Sequence, residues 1–408
     1  MAHTTIEAPD APIFNPLAPE VIADPYAFYD QFRAHDPVYK TPLGFWLVTQ
    51  HDHVSVVLRD RQFGRDFENE TTLLNGPQAM EEPLQVAMRR MMLFLEPPDH
   101  PRVRKLVTKA FSAKRIEEMR PRIRSIAERL IDKARRDGGM DVVSDFALPL
   151  PITVICDMLG IPDEDRGDFL NRFRITSRVI DIIPLTPTEK EEVTAQLAYL
   201  QTYFRKLFDM RRSNPGDDLT THLVQAEEAG DKLSEDELLA NILLLFVAGH
   251  ETTSNAIGNS LHALYRNPEQ LHVLKERPQL IRDAVHELLR YDSPVQLTSR
   301  SALEDVVLGN KQLCKGDFIV AALGAANRDP ATYPNANRLD VSRKNVRPLS
   351  FGGGIHHCLG AQLANIELEL ALTTLFEKIP HLQLTDVEHP RWRPSCVWRG
   401  LETLPAIC

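Results

Sequence analysis

The chain has 408 residues, 43% apolar and 25% charged, long enough for a large core and ordinary for a globular protein. Its formal charge of -10 disfavours general nucleic-acid binding, and five cysteines without a CxxC pair argue against a disulfide framework or a closed zinc site. Those cysteines read as reduced thiols.

Residues 1–25 are rich in proline and acidic residues and lack an apolar core. They read as an extended N-terminal segment, neither signal peptide nor membrane anchor. Phe45 to Val48 is strand-like after a Pro-Leu-Gly turn. Pro97-Pro98-Asp99-His100 opens a helix with Asp99 as its cap, placing His100 and Arg104 four residues apart on one face. From Arg102 to Arg115 the charged residues are all basic (Arg102, Arg104, Lys105, Lys109, Lys114 and Arg115), an exception in an acidic chain that suggests an oppositely charged partner.

Helical periodicity dominates from Asp99 to Asn267, broken at Gly138-Gly139, Gly160-Ile161-Pro162 and Asn214-Pro215-Gly216. Ile180 to Pro187 carries Pro184 and Pro187 between helical stretches and reads as a lid. Ser234 and Glu237 form a capping box for a helix running to Asn267-Pro268, about 45 to 50 Å long. Ile242 to Ala248 is apolar on every side, so this helix belongs at the centre, yet the run falls far short of the ~20 residues that span a membrane.

Gly249-His250-Glu251-Thr252-Thr253 then interrupts the apolar run. Either the helix emerges into solvent there, or Gly249 admits a ligand, the Thr252 hydroxyl takes the Ala248 carbonyl and opens a kink, and Glu251 handles protons. Glu287 and Arg290 are spaced for an i,i+3 pair on a short helix ending near Ser293-Pro294. Val306 to Leu308 and Phe318 to Val320 are strand-like. With no repeat and no linker, the chain reads as one mainly α domain, 1–408, with a small β part.

Phe351-Gly-Gly-Gly-Ile-His-His-Cys-Leu-Gly360 places Cys358 in a glycine-rich loop ahead of a helix from Ala361 to Lys378. The glycines either clear side chains from where something flat approaches the backbone or simply make tight turns. Free N–H groups and the positive end of the helix dipole favour a thiolate there, so Cys358 is a candidate metal ligand. Zinc fits poorly, because the consecutive side chains of His356, His357 and Cys358 do not converge on one tetrahedral ion.

Phe351, Gly354, His356, Cys358 and Gly360 stand at the spacings of the haem-thiolate signature, and here the chain resembles the cytochrome P-450 family, in particular its bacterial soluble branch. The resemblance implies that fold, with a long central helix across haem b, Cys358 as axial iron ligand, and His100, Arg104, Arg300 and His356 at the haem propionates. Ala248 to Thr253 resembles the family's oxygen-activation segment, in which Thr252 would hydrogen-bond dioxygen and Glu251 would relay protons. Glu287 and Arg290 match the ExxR element, with Arg338 as its third member and Arg343 as runner-up, since Leu339 stands where phenylalanine is usual. Ala326 to Pro330 matches a further segment of that branch.

The resemblance further implies a cytoplasmic, monomeric monooxygenase that inserts one atom of dioxygen into a C–H or C=C bond of an organic substrate. Its electrons would come from a separate ferredoxin and its reductase, so NAD(P)H would act only indirectly, and neither nucleic acid nor membrane would be a partner. Val247, Ala248, Val295, Gln296, Leu297 and Thr298, with parts of Phe63 to Leu93, would line a largely apolar pocket, Gln296 and Thr298 offering polar handles. A peroxide-driven haem-thiolate enzyme and a non-catalytic haem gas sensor or carrier are the competing readings. The Glu251-Thr252 pair favours dioxygen as the oxidant.

Overall fold

The computed structural model describes residues 12–167, 178, 184–228 and 230–408. Ile180 to Ile183 of the expected lid therefore lie outside the described residues. The N-terminal segment is not extended throughout. Pro19–Ala23 forms a short helix, and Asp24 then caps Pro25–His35 by accepting from the Tyr26 N–H at 3.0 Å.

Helix Glu235–Arg266 forms the axis of the molecule. Its 32 residues span about 48 Å. The capping box at its start is formed: Ser234 N–H donates to Glu237 Oε2 at 2.8 Å, and Glu237 N–H donates to Ser234 Oγ at 3.3 Å. Because Ile242 to Phe246 is apolar all round, this stretch is buried, packed among Pro149–Leu159, Pro187–Ser213 and Ala361–Lys378. Helices end at the three expected breaks, after Asp137, Leu159 and Ser213. Asp99, expected as a cap, is instead the first helical residue of Asp99–Ala110, and the cap position falls on Pro98.

The β part is a five-stranded sheet of β1 (Val38–Lys40), β2 (Trp46–Val48), β3 (Phe63–Gly64), β4 (Leu297–Ala302) and β5 (Phe318–Ala322), in the order β1-β2-β5-β4-β3. Only β2 and β5 run parallel, with Ile319 opposite Trp46; β4 pairs antiparallel with β5, Arg300 opposite Ile319. Val306–Leu308 forms a separate hairpin strand, as its pattern suggests. Alternation along β4 sends Leu297 into the aromatic core of Phe14, Phe28 and Phe32, and puts Thr298 and Arg300 on the opposite face. Among the described residues no helix is long and apolar enough to cross a membrane.

Candidate active site

The cysteine loop is folded by its own backbone. Cys358 N–H donates to the Phe351 carbonyl at 2.9 Å and His357 N–H to the Gly354 carbonyl at 3.2 Å. Gly354 sits at φ 64°, and a Cβ there would overlap the Leu58 carbonyl oxygen at the end of helix His51–Arg59. This glycine thus seats the loop on a neighbouring helix, which is a different reason from giving a flat ligand access.

Helix Ala361–Lys378 starts three residues beyond the sulfur. Cys358 is accessible to solvent, yet the protein around it pushes the thiol above its ordinary value by burial, against the opposing pulls of the Gly360 N–H and Arg104. A cation bound to the sulfur would offset that burial and favour the thiolate. No disulfide joins any of the five cysteines.

On one side of Cys358 the structure gathers the four residues expected at carboxylates. The rings of His100 and His356 lie 4.4 Å apart, and His356 Nε2 is 3.0 Å from Glu96 Oε1. Arg104 Nη2 donates to the His357 carbonyl at 2.6 Å. Arg300 is 3% exposed and, among the described residues, its guanidinium donates only to the Ser299 carbonyl, at 2.7 Å. Its nearest cationic neighbour, Arg65, is engaged by Glu70 at 3.2 Å and by Ser299 Oγ at 2.6 Å.

These charges do not balance. Burial, with the nearby cations His356 and Arg104, lowers His100 to about 4, and both of its buried ring nitrogens lack a partner. Burial beside Arg65 lowers Arg300 to about 9. Buried donors without acceptors, next to an arginine without a carboxylate, fit a group that brings anions of its own. The two propionates of a haem would suit that donor set, with Cys358 available to hold its iron. Glu96, which positions His356 and accepts from the Arg65 N–H at 2.8 Å, escapes sequence reasoning because nothing local marks it.

Between Leu238 and Leu261 of the central helix, only Val247, Ala248, Gly249 and Thr252 are less than fully buried. Ala248 and Thr252 lie one turn apart, so they share the open face, and Thr252 Oγ1 donates to the Ala248 carbonyl at 3.0 Å. Helix runs on through this turn to Arg266. A Cβ on Gly249 would meet Ile155 Cδ1 at 3.4 Å, an ordinary contact, so packing against Pro149–Leu159 does not by itself require glycine there. Glu251 is buried and ion-paired with Arg393, a partner 142 residues away that no local pattern marks.

Two pocket expectations are corrected. Gln296 is a core residue, its Nε2 donating to the Ser293 carbonyl at 2.8 Å and to Tyr26 Oη at 3.2 Å. Leu297 is likewise core, facing away from Arg300. Thr298 and Val295 are half-buried, the latter bridged to Trp398. Asn241 ties the 83–93 segment to the central helix, accepting from the Met92 N–H at 2.9 Å and donating to the Arg90 carbonyl at 3.3 Å.

Glu287 and Arg290 form a fully buried pair, with contacts of 2.6 and 2.8 Å. Arg290 also donates to the carbonyls of Asn327 and Ala336 at 2.9 and 2.8 Å. The third member is Arg343, whose Nε lies 3.2 Å from Glu287, whereas Arg338 is exposed and offers only its backbone carbonyl to Arg290 at 3.3 Å. In the basic stripe, Arg102 pairs with Glu237, Lys114 with Glu118 and Arg115 with Asp217, so these three cations are largely satisfied within the chain.

The family model for Cytochrome P450 matches residues 38–391. A putative cytochrome P450 133B1 of Xylella fastidiosa is 40% identical over 389 residues, covering 95% of this chain and 96% of the relative. The crystal structure of P450BioI in complex with hexadec-9Z-enoic acid ligated acyl carrier protein superposes with a TM-score of 0.89 at 36% identity, covering 95% of this chain and 98% of that one. Myxobacterial cytochrome P450 CYP267B1 in complex with myristic acid gives 0.87 at 37% identity, covering 96% and 98%.

Proposed function

Since this chain belongs to the cytochrome P450 family, and is accordingly a haem-thiolate monooxygenase carrying haem b, we propose that Cys358 would hold the haem iron and that Glu251 and Thr252 manage the protons of dioxygen activation. When bound, the haem supplies activation of dioxygen by electrons taken singly, its thiolate ligand favouring O–O cleavage. NAD(P)H acts through redox partners in bacterial P450s; the proposed donor is a ferredoxin with its reductase, acting in the cytoplasm on a monomer.

His100, Arg104, Arg300 and His356 hold the propionates in this reading. His100 brings ring nitrogens without a partner among the described residues, Arg300 a guanidinium bonded to the Ser299 carbonyl, and Glu96 fixes the ring of His356. Thr252 Oγ1 stands on the open face of the central helix with its own hydrogen resting on the Ala248 carbonyl, so its oxygen can accept a proton and pass one on. Glu251 receives protons from the Arg393 side, where the guanidinium is less buried than the carboxylate, and gives them up toward Thr252.

The substrate is a largely apolar organic molecule lying against Val247, Ala248, Val295 and Thr298, with the Thr298 hydroxyl as its polar contact. Fatty-acyl and fatty-acid ligands of the two solved relatives support that class. The observation that carries the reading is the Thr252 hydroxyl on the open face of the buried 238–261 stretch, with the buried, ion-paired Glu251 one residue before it.

Reconstitution with ferredoxin, reductase, NAD(P)H and isotopically labelled dioxygen tests it. One labelled oxygen atom in the product supports the reading. Peroxide-supported turnover that matches the donor-supported rate and is indifferent to Thr252→Ala would contradict it.

A further inference from the structure

Beyond the active site, a second cavity of about 700 Å³ opens between helix Pro25–His35, the last turns of the central helix, the end of helix Ile281–Tyr291 and the 387–399 loop. His262 on its wall is ten residues past Thr252, or about 15 Å along the helix axis. The volume falls in the range of small-molecule sites.

Of the three arginines lining it, Arg328 alone has no ion-pair partner among the described residues. Arg328 is 6% exposed and lies flat between two rings, its guanidinium carbon 3.7 Å from the Tyr291 centroid and 4.1 Å from that of Tyr26. Nε donates to the Tyr291 carbonyl at 2.6 Å and Nη1 to Asn337 Oδ1 at 3.1 Å, while Nη2 has no hydrogen-bond partner among the described residues. Neither does Arg328 form an ion pair among them.

The neighbouring acids are already committed. Asp292 accepts from Arg399 Nε at 2.6 Å and from Tyr26 Oη at 2.7 Å. Arg399 is otherwise saturated by the carbonyls of Ile22 and Ala23 at 2.9 and 3.2 Å. Glu388 pairs with Arg266, Asp30 with Arg33, and Asp24 caps its helix. Asp292 is thus taken by Arg399, and Arg328 is left with a free donor and no carboxylate partner among the described residues, on a wall lined by aromatic rings.

We propose that this cavity binds a small organic anion, a carboxylate on a planar apolar body. Arg328 takes the carboxylate and the edge-on pair of His262 and Trp392, 5.4 Å apart, walls the body. A guanidinium held flat by two tyrosines keeps its donor fixed, which suits carboxylate geometry.

Calorimetric titration of the haem-loaded enzyme with benzoate tests the proposal, the haem pocket being saturated beforehand with 4-phenylimidazole. Saturable one-site binding is expected, at least about tenfold tighter than for the neutral benzamide. Arg328→Gln weakens it by about 10- to 100-fold. Ala27→Trp, a change at an exposed position on the cavity wall, abolishes it and decides the matter if Arg328→Gln does not fold. Absence of saturable benzoate binding, its loss on azole saturation, or unchanged binding in Ala27→Trp would overturn the proposal.

Discussion

Glu251, buried in the middle of the central helix, is closed off by the guanidinium of Arg393 from the C-terminal loop. The pairing joins the acid of the oxygen-activation segment to a part of the chain that carries no motif. Its side chains are 6% and 21% exposed, so the carboxylate is the desolvated partner.

Removing Arg393 leaves that carboxylate uncompensated. Arg393→Ala should lower unfolding stability by about 1 to 3 kcal/mol, and Arg393→Lys by less. The double variant with Glu251→Gln should lose less than the sum of the single losses, because the second change removes the charge that the first exposes. Denaturant titration of the four proteins measures the coupling, and strict additivity would show that the pair is idle.

Thr252→Ala removes the hydroxyl next to that acid while retaining the helix. NAD(P)H oxidation should continue, with product per NAD(P)H falling by about tenfold or more and hydrogen peroxide rising to match. Unchanged coupling between cofactor use and product would contradict the role given to Thr252.

Glu287 accepts at once from Arg290, Arg343 and the Asp340 N–H, with no exposure of its side chain. Arg343→Ala should therefore cost about 1 to 3 kcal/mol, and Arg338→Ala at an exposed position less than about 0.5 kcal/mol. Urea unfolding of both variants decides which arginine completes the element.

His100 gives a pH signature in protein prepared without haem. Its value in the folded chain, about 4, lies below the ordinary 6.5, so the unfolded chain binds the proton more tightly. Stability contributed by neutral His100 is thus present above pH 6.5 and lost as pH falls from 6.5 towards 4, on the order of 2 kcal/mol across that window. His100→Asn should flatten this part of the stability profile. Added haem should reverse its sign locally, since bound carboxylates favour the protonated ring.

Much of the site is legible in the sequence because its chemistry is written in short segments. The Cys358 loop, the Glu251-Thr252 pair and the Ser234-Glu237 cap each lie within a few residues, and helical periodicity places them on the elements where they stand. What stays illegible depends on distant packing. Arg393 and Glu96 meet their partners across 142 and 260 residues. Arg343 takes the place expected of Arg338 because the turn after Pro334 swings the later arginine back onto Glu287. Gln296 has the character of a pocket residue, but Tyr26, 270 residues earlier, holds it in the core. Gly354 suits a ligand on local grounds, whereas it yields to the end of a neighbouring helix.

The absorption spectrum of the reduced, carbon-monoxide-bound enzyme tests the central claim most directly, because it reports the atom opposite the gas on the iron. A strongly red-shifted Soret band that disappears in Cys358→Ala is the expected result. A band at the position of nitrogen ligation in the unaltered enzyme, or a red-shifted band that survives Cys358→Ala, would contradict the account.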